Sequence, residues 1–148
     1  MTAAADNRVR LHLYERFVAD GRPPSPEETA AALGVAPEEA EAAYSRLEQA
    51  HVVVLAPGTT NVWMANPLSA YPTPFRVETG RGAYWGNCIW DALGIPAMLG
   101  VDGDVRTSCP DCGEPLVLRV RGGLLEPTDV VCHFAVPAAR WWENIGYT

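Results

Sequence analysis

The sequence predicts an α+β protein, and three observations carry that expectation. Residues 7–50 repeat apolar positions at helical spacing between recognisable capping signals. Residues 104–136 break into short β-prone runs separated by Gly and Pro turns. Between them, the apolar stretch 83–94 (AYWGNCIWDALG) reads as one more helix, carrying a cysteine and an aspartate. With 148 residues, 48% of them hydrophobic and 20% charged, the chain can build one ordinary core or two small modules sharing an interface. The expected organisation is an N-terminal three-helix, winged-helix-like module over residues 1–66. It packs on a C-terminal domain, residues 67–148, that holds a small mixed or antiparallel sheet and the Cys-bearing helix.

Taken in order, Val9, Leu11, Leu13, Tyr14, Phe17 and Val18 mark a helix that Gly21 ends. Arg22-Pro23-Pro24 is a stiff link. Ser25, Pro26 and Glu28 spell an N-cap, a first-turn proline and the reciprocal partner of a capping box, and that helix runs to Leu33 and Gly34. A third helix, from Pro37 to Gln49, presents Ala40, Ala43, Tyr44 and Leu47 on one face. His51–Leu55 and Val62–Met64 flank Pro57-Gly58 and predict a hairpin, the wing of the module. Pro67, Pro72 and Pro74 mark an irregular connection. Beyond the Cys-bearing helix, strands are expected at Val105–Thr107, Leu116–Val120 and Val130–Val136, with turns at 109–113 and 122–123.

Charge and composition narrow the function. The net charge is −7 and every basic residue is an arginine, so counterion release offers no general drive toward nucleic acid. The third helix carries Glu38, Glu39, Glu41 and Glu48 against Arg46 alone, the wrong balance for a major-groove reader. Nucleic acid is therefore not an expected partner. No segment approaches the length and apolarity of a bilayer span, and Met1–Arg10 lacks the pattern of a signal peptide, so the expected location is the cytoplasm. In that reducing compartment Cys88, Cys109, Cys112 and Cys132 read as buried residues, metal ligands or nucleophiles before disulfides.

Two constellations carry chemistry. A spacing of three places Cys88 and Asp91 on one helical face, about 5–6 Å apart at Cβ. A thiolate is a soft nucleophile and ligand, and a carboxyl group beside it can carry a proton. The aspartate's charge also raises the thiol's pKa, so the pair suits a soft metal ion that displaces the thiol proton; the alternative is a buried structural cysteine beside a packing aspartate. Cys109-Pro-Asp-Cys112-Gly is the second constellation, a knuckle whose spacing suits zinc. It supplies two of four ligands, and Cys132, with adjacent His133, is the candidate to complete a structural zinc site. Trp85, Trp90, Trp141 and Trp142 could line an apolar pocket or simply fill the core.

The segment Trp85-Gly-Asn-Cys88-Ile-Trp-Asp91-Ala-Leu-Gly-Ile-Pro96 resembles the active-site helix of the alkylmercury (organomercurial) lyase family. The helical N-terminal region, the connection from Asn66-Pro67-Leu68-Ser69 to Pro74-Phe75 and the strand-rich region around Cys109 follow that family's order, so the resemblance covers nearly the whole chain. It implies cleavage of carbon–mercury bonds, with Cys88 binding mercury as a thiolate. Asp91 then passes a proton to the departing carbon and holds the metal product. No cofactor is implied, mercury being substrate and product. The implied partners are a small organic or organometallic substrate and a thiol reductant, with a homodimer as the candidate assembly. The sequence departs from the family in one respect. The family's second cysteine falls at Thr148 or just past it, and Cys132 does not align with it, so that thiol is either missing or beyond the sequence. Two other functions fit the same residues: a metal-sensing winged-helix protein using Cys109, Cys112 and Cys132, and a lyase or isomerase acting on another small molecule.

Overall fold

The structure is a computed structural model and describes residues 3–146. Helix α1 (Ala3–Asp20) sends Val9, Leu13 and Phe17, four residues apart, into the core and ends on left-handed Gly21. Helix α2 (Pro26–Leu33) begins on the capping box the sequence spells. Glu28 N donates to Ser25 Oγ at 3.2 Å and Ser25 N to Glu28 Oε2 at 2.8 Å. Helix α3 (Pro37–Gln49) buries Ala40, Ala43, Tyr44 and Leu47. The Tyr44 hydroxyl donates to the Pro24 carbonyl at 3.0 Å and meets the Thr29 hydroxyl at 2.8 Å, so no polar atom of that buried ring is stranded. Burial pushes its phenol up to about 12.

The hairpin after α3 forms as expected and gains a strand. Strands β1 (Val54–Leu55), β2 (Val62–Ala65) and β3 (Leu68–Ser69) make an antiparallel sheet in that order. A second antiparallel sheet follows, built from β4 (Arg76–Thr79), β5 (Gly82–Trp85), β6 (Gly103–Ser108), β7 (Pro115–Arg121) and β8 (Leu124–Leu125). Its spatial order is β5-β4-β6-β7-β8. Helix α4 (Ile89–Leu99) packs Ala92, Ile95 and Pro96 against this sheet. Gly103 makes the contact feasible, because a Cβ there would lie 2.6 Å from the Pro96 ring.

Two expectations are corrected. The helix read over 83–94 starts only at Ile89. Residues 82–85 instead pair with β4 in the register Val77↔Tyr84, which buries both side chains. An apolar run of this length satisfies either period, and the edge of β4 decides it. Val130–Val136 forms no strand: Val131 is 87% exposed, and no neighbouring strand satisfies the backbone there. The α+β class stands, with both sheets antiparallel.

One hydrophobic cluster joins the two halves, running from Val9, Leu13 and Phe17 through Tyr44 and Leu68 to Val77, Ile95 and Leu118. Tyr84 donates a hydrogen bond to the Val18 carbonyl at 3.0 Å, and a bridge between Leu68 and Gly86 links β3 to the turn before α4. Among the described residues, no helix is long and apolar enough to cross a membrane.

Candidate functional site

The candidate site is built where β5 gives way to α4. Gly86 turns the chain, donating to the Phe75 carbonyl at 3.0 Å and accepting from Thr73 Oγ1 at 2.6 Å. Only glycine fits there, since a Cβ would sit 2.6 Å from the backbone nitrogen of Ala92. Cys88 follows as the N-cap of α4, in extended conformation with φ −140° and ψ −177°, and Asp91 lies in the first turn. The sequence placed Cys88 inside a helix. The structure puts it at the cap, and the three-residue spacing still brings both side chains to one cavity.

That cavity, about 120 Å³, is lined by Met64, Asn66, Asn87, Cys88, Asp91, Phe134, Trp141, Trp142, Ile145 and Gly146. Asn87 organises its polar edge. Its amide nitrogen donates to Asp91 Oδ2 at 3.1 Å and to Asn66 Oδ1 at 3.0 Å, while its own carbonyl oxygen is buried without a partner. Tyr14 fixes the far side of this relay by donating to the Asn66 carbonyl at 3.0 Å. The opposite wall comes from the chain's last described stretch. Trp141 donates from Nε1 to the Val136 carbonyl at 2.8 Å and packs 5.4 Å from the Phe134 ring. Trp142 stacks on His51, with centroids 4.0 Å apart and planes 7° from parallel. Gly146 lies against Trp63 so closely that a Cβ would meet the indole at 2.8 Å.

Electrostatics at the site follow from the partial burial of both groups. Burial pushes the Cys88 thiol up, and the Asp91 charge adds to that rise. The amides of Trp90 and Asp91 at the helix start oppose it, although the sulfur forms no capping hydrogen bond. Burial likewise raises the Asp91 carboxyl, against the stabilising Asn87 amide and Cys88 thiol. Both groups therefore hold their protons more tightly than they would in water. The chemistry available is that of a thiol whose proton has a carboxylate acceptor beside it, facing an aromatic wall.

The other sequence candidates scatter. Trp141 and Trp142 line the cavity, whereas Trp90 is 67% exposed and Trp85 lies under the Arg76 guanidinium at 5.1 Å. Cys109 and Cys112 sit together on the β6–β7 turn, where the amides of Cys112 and Asp111 and the Cys112 thiol lower the Cys109 pKa. Cys132 is exposed on the segment after β8, and among the described residues no three metal-binding side chains gather. Among the described residues, Cys132 and adjacent His133 do not gather with the knuckle into a group of three metal-binding side chains. The position expected for a second family cysteine, Thr148, lies outside the described residues. Sequence reasoning missed Asn66 and Asn87, whose only signal was their adjacency to the Pro67 turn and to Cys88. It also missed Met64, Phe134 and Ile145, which carried none.

The alkylmercury lyase (MerB) family model matches residues 68–148, more than half of the chain. The chain belongs to the alkylmercury lyase family. Its fold is similar to that of a solved member, the mercury-bound form of MerB2, with a TM-score of 0.65 at 21% sequence identity. That match covers 87% of this chain and 61% of the MerB2 chain, so this lyase-family chain spans about three-fifths of the relative's length. No curated protein matches it in sequence. The cavity at the start of α4 is therefore set in a fold shared with a protein solved with mercury bound.

Proposed function

We propose that this family member cleaves carbon–mercury bonds in the cavity at the N-terminus of α4, with Cys88 as the mercury-binding thiolate and Asp91 as the proton carrier. The observation that carries this reading is the pairing of a soft thiol and a carboxyl group in one small, largely apolar cavity. A high thiol pKa is no obstacle to a metal that binds sulfur strongly, since metal binding itself displaces the proton.

The proton ledger then closes within the site. An organomercurial R–Hg–X enters, Cys88 sulfur bonds to mercury, and X departs as the anion. The thiol proton passes to Asp91, whose burial favours the protonated form. Sulfur donation weakens the carbon–mercury bond. Asp91 delivers the proton to carbon as that bond breaks, and its electron pair becomes the new C–H bond. Hydrocarbon leaves, and mercuric ion remains on the Cys88 sulfur with the Asp91 carboxylate as a second ligand. A small free thiol in the cytoplasm supplies a further sulfur and carries the metal away. Asn87 holds the Asp91 carboxylate in place through the 3.1 Å hydrogen bond, and the indoles of Trp141 and Trp142 accept the organic group.

The test is release of hydrocarbon and mercuric ion from an organomercurial by purified protein in excess free thiol. Wild-type protein is expected to turn over and Cys88→Ser to lose all activity. Wild-type protein that releases neither product sinks the proposal.

A further inference from the structure

We propose that the β6–β7 turn is a second soft-metal site, in which Cys109 and Cys112 together hold one two-coordinate thiophilic cation such as mercuric ion. This goes beyond the reading of the Cys88 cavity and does not depend on it.

The turn is shaped for such a cation. Gly113 N donates to the Cys109 carbonyl at 2.8 Å and Cys109 N to the Glu114 carbonyl at 2.9 Å, so both ends of the knuckle are fixed by backbone bonds. Gly113 takes φ +75°, the left-handed conformation that folds the chain back toward Cys109. The bond from Gly113 to the Cys109 carbonyl closes the turn over residues 109–113, so both cysteines of the CxxC lie within one turn between β6 and β7. The fixed backbone thus keeps the two thiol-bearing residues on one short turn before any metal arrives. Amide donors would share the negative charge of a bound thiolate, as they do for other anions at such turns.

The ligand count selects the metal. Among the described residues no third His, Cys, Asp or Glu completes a metal-binding group at this turn. Tetrahedral zinc needs four ligands, so the turn alone does not satisfy it. Soft ions that accept two thiolates in a line are satisfied by what is present. Cys112 is exposed and Cys109 half-buried, which leaves the site open to ion exchange with small thiols. On binding mercuric ion the two thiols release two protons to solvent and form two S–Hg bonds, with no change of oxidation state.

The test uses the full chain carrying Cys88→Ser and Cys132→Ser, which removes the other thiols. Mercuric chloride is added in a buffer containing excess monothiol, and bound metal is counted after desalting. One mercury per chain is expected to be retained. Adding Cys112→Ser, or separately Cys112→Ala, should lower the monothiol concentration needed to strip the metal by about a hundredfold, the usual gain from joining two ligands in one molecule. Circular dichroism checks that each variant is folded. The proposal is overturned if the Cys88→Ser/Cys132→Ser protein retains no metal, or if Cys112→Ser holds it as tightly. Half an equivalent shared by a chain dimer would also overturn it, since that stoichiometry means four thiolates around one ion. Loss of organomercurial cleavage elsewhere would leave these measurements unaffected, so the two proposals fail separately.

Discussion

Burial raises the proton affinity of both Cys88 and Asp91; the Asp91 charge adds to the rise at the thiol, whereas the Cys88 thiol opposes the rise at the carboxyl. Removing the carboxylate lowers the thiol pKa, so Asp91→Asn should alkylate faster at Cys88 near neutral pH than wild type does, measured by iodoacetamide labelling and peptide mass analysis. An unchanged rate would mean that the carboxyl does not reach the sulfur. The same substitution has a thermodynamic signature. Asp91 binds its proton more tightly in the folded chain than in the unfolded one. Its favourable contribution is therefore complete below the unfolded pKa of about 3.9 and is lost as pH rises through the higher folded value. Asp91→Asn should accordingly raise the melting temperature at pH 7 by about 2–4 °C per kcal/mol recovered, with the gain shrinking toward pH 4. A gain of equal size at both values would assign it to something other than the buried charge. At this scale the convergence of the two side chains on one cavity was legible in the sequence, because a cysteine and an aspartate three apart meet whether the first is a helix residue or its cap. Asn87 was not legible, since an asparagine announces its partners only once the turn around Gly86 is built.

At the scale of elements, α4 is positioned by absent side chains. Gly86 and Gly103 let it approach a turn and a strand, respectively, with no room for a methyl group. Gly86→Ala would push against the Ala92 backbone, and we expect a loss of about 1–3 kcal/mol in chemical denaturation, with weaker mercury retention at Cys88. Wild-type stability in that variant would show that the helix start can give way. The helices were legible because their caps are local: Ser25, Glu28 and Gly34 each act within a few residues. Strands were harder. Residues 82–85 look apolar enough for a helix until β4 is beside them, while β4 itself, Arg-Val-Glu-Thr, hides one buried valine among polar residues. Val130–Val136 has the composition of a strand without a neighbour to pair with, and composition does not supply one.

Across the whole molecule, the helical half and the five-stranded sheet share one core and should unfold together. A single transition by circular dichroism and by fluorescence is expected, and two separated transitions would contradict the shared core. Tyr84→Phe, which deletes the hydrogen bond to the Val18 carbonyl, should cost about 1 kcal/mol without splitting that transition. The charge pattern also becomes structural at this scale. Arg46, the one basic residue of α3, is engaged by Asp6 at 2.7 Å, and Glu48 accepts the Leu55 amide at 3.0 Å, so the helix spends polar groups on the protein itself.

The two indoles that wall the Cys88 cavity carry a further consequence. A heavy nucleus within a few ångströms of an excited ring promotes its crossing to the triplet state, which extinguishes its emission. Under the proposed function Trp141 and Trp142 would make the chain its own optical gauge of cargo: arrival of mercury at Cys88 should dim the protein's ultraviolet glow, and departure should restore it.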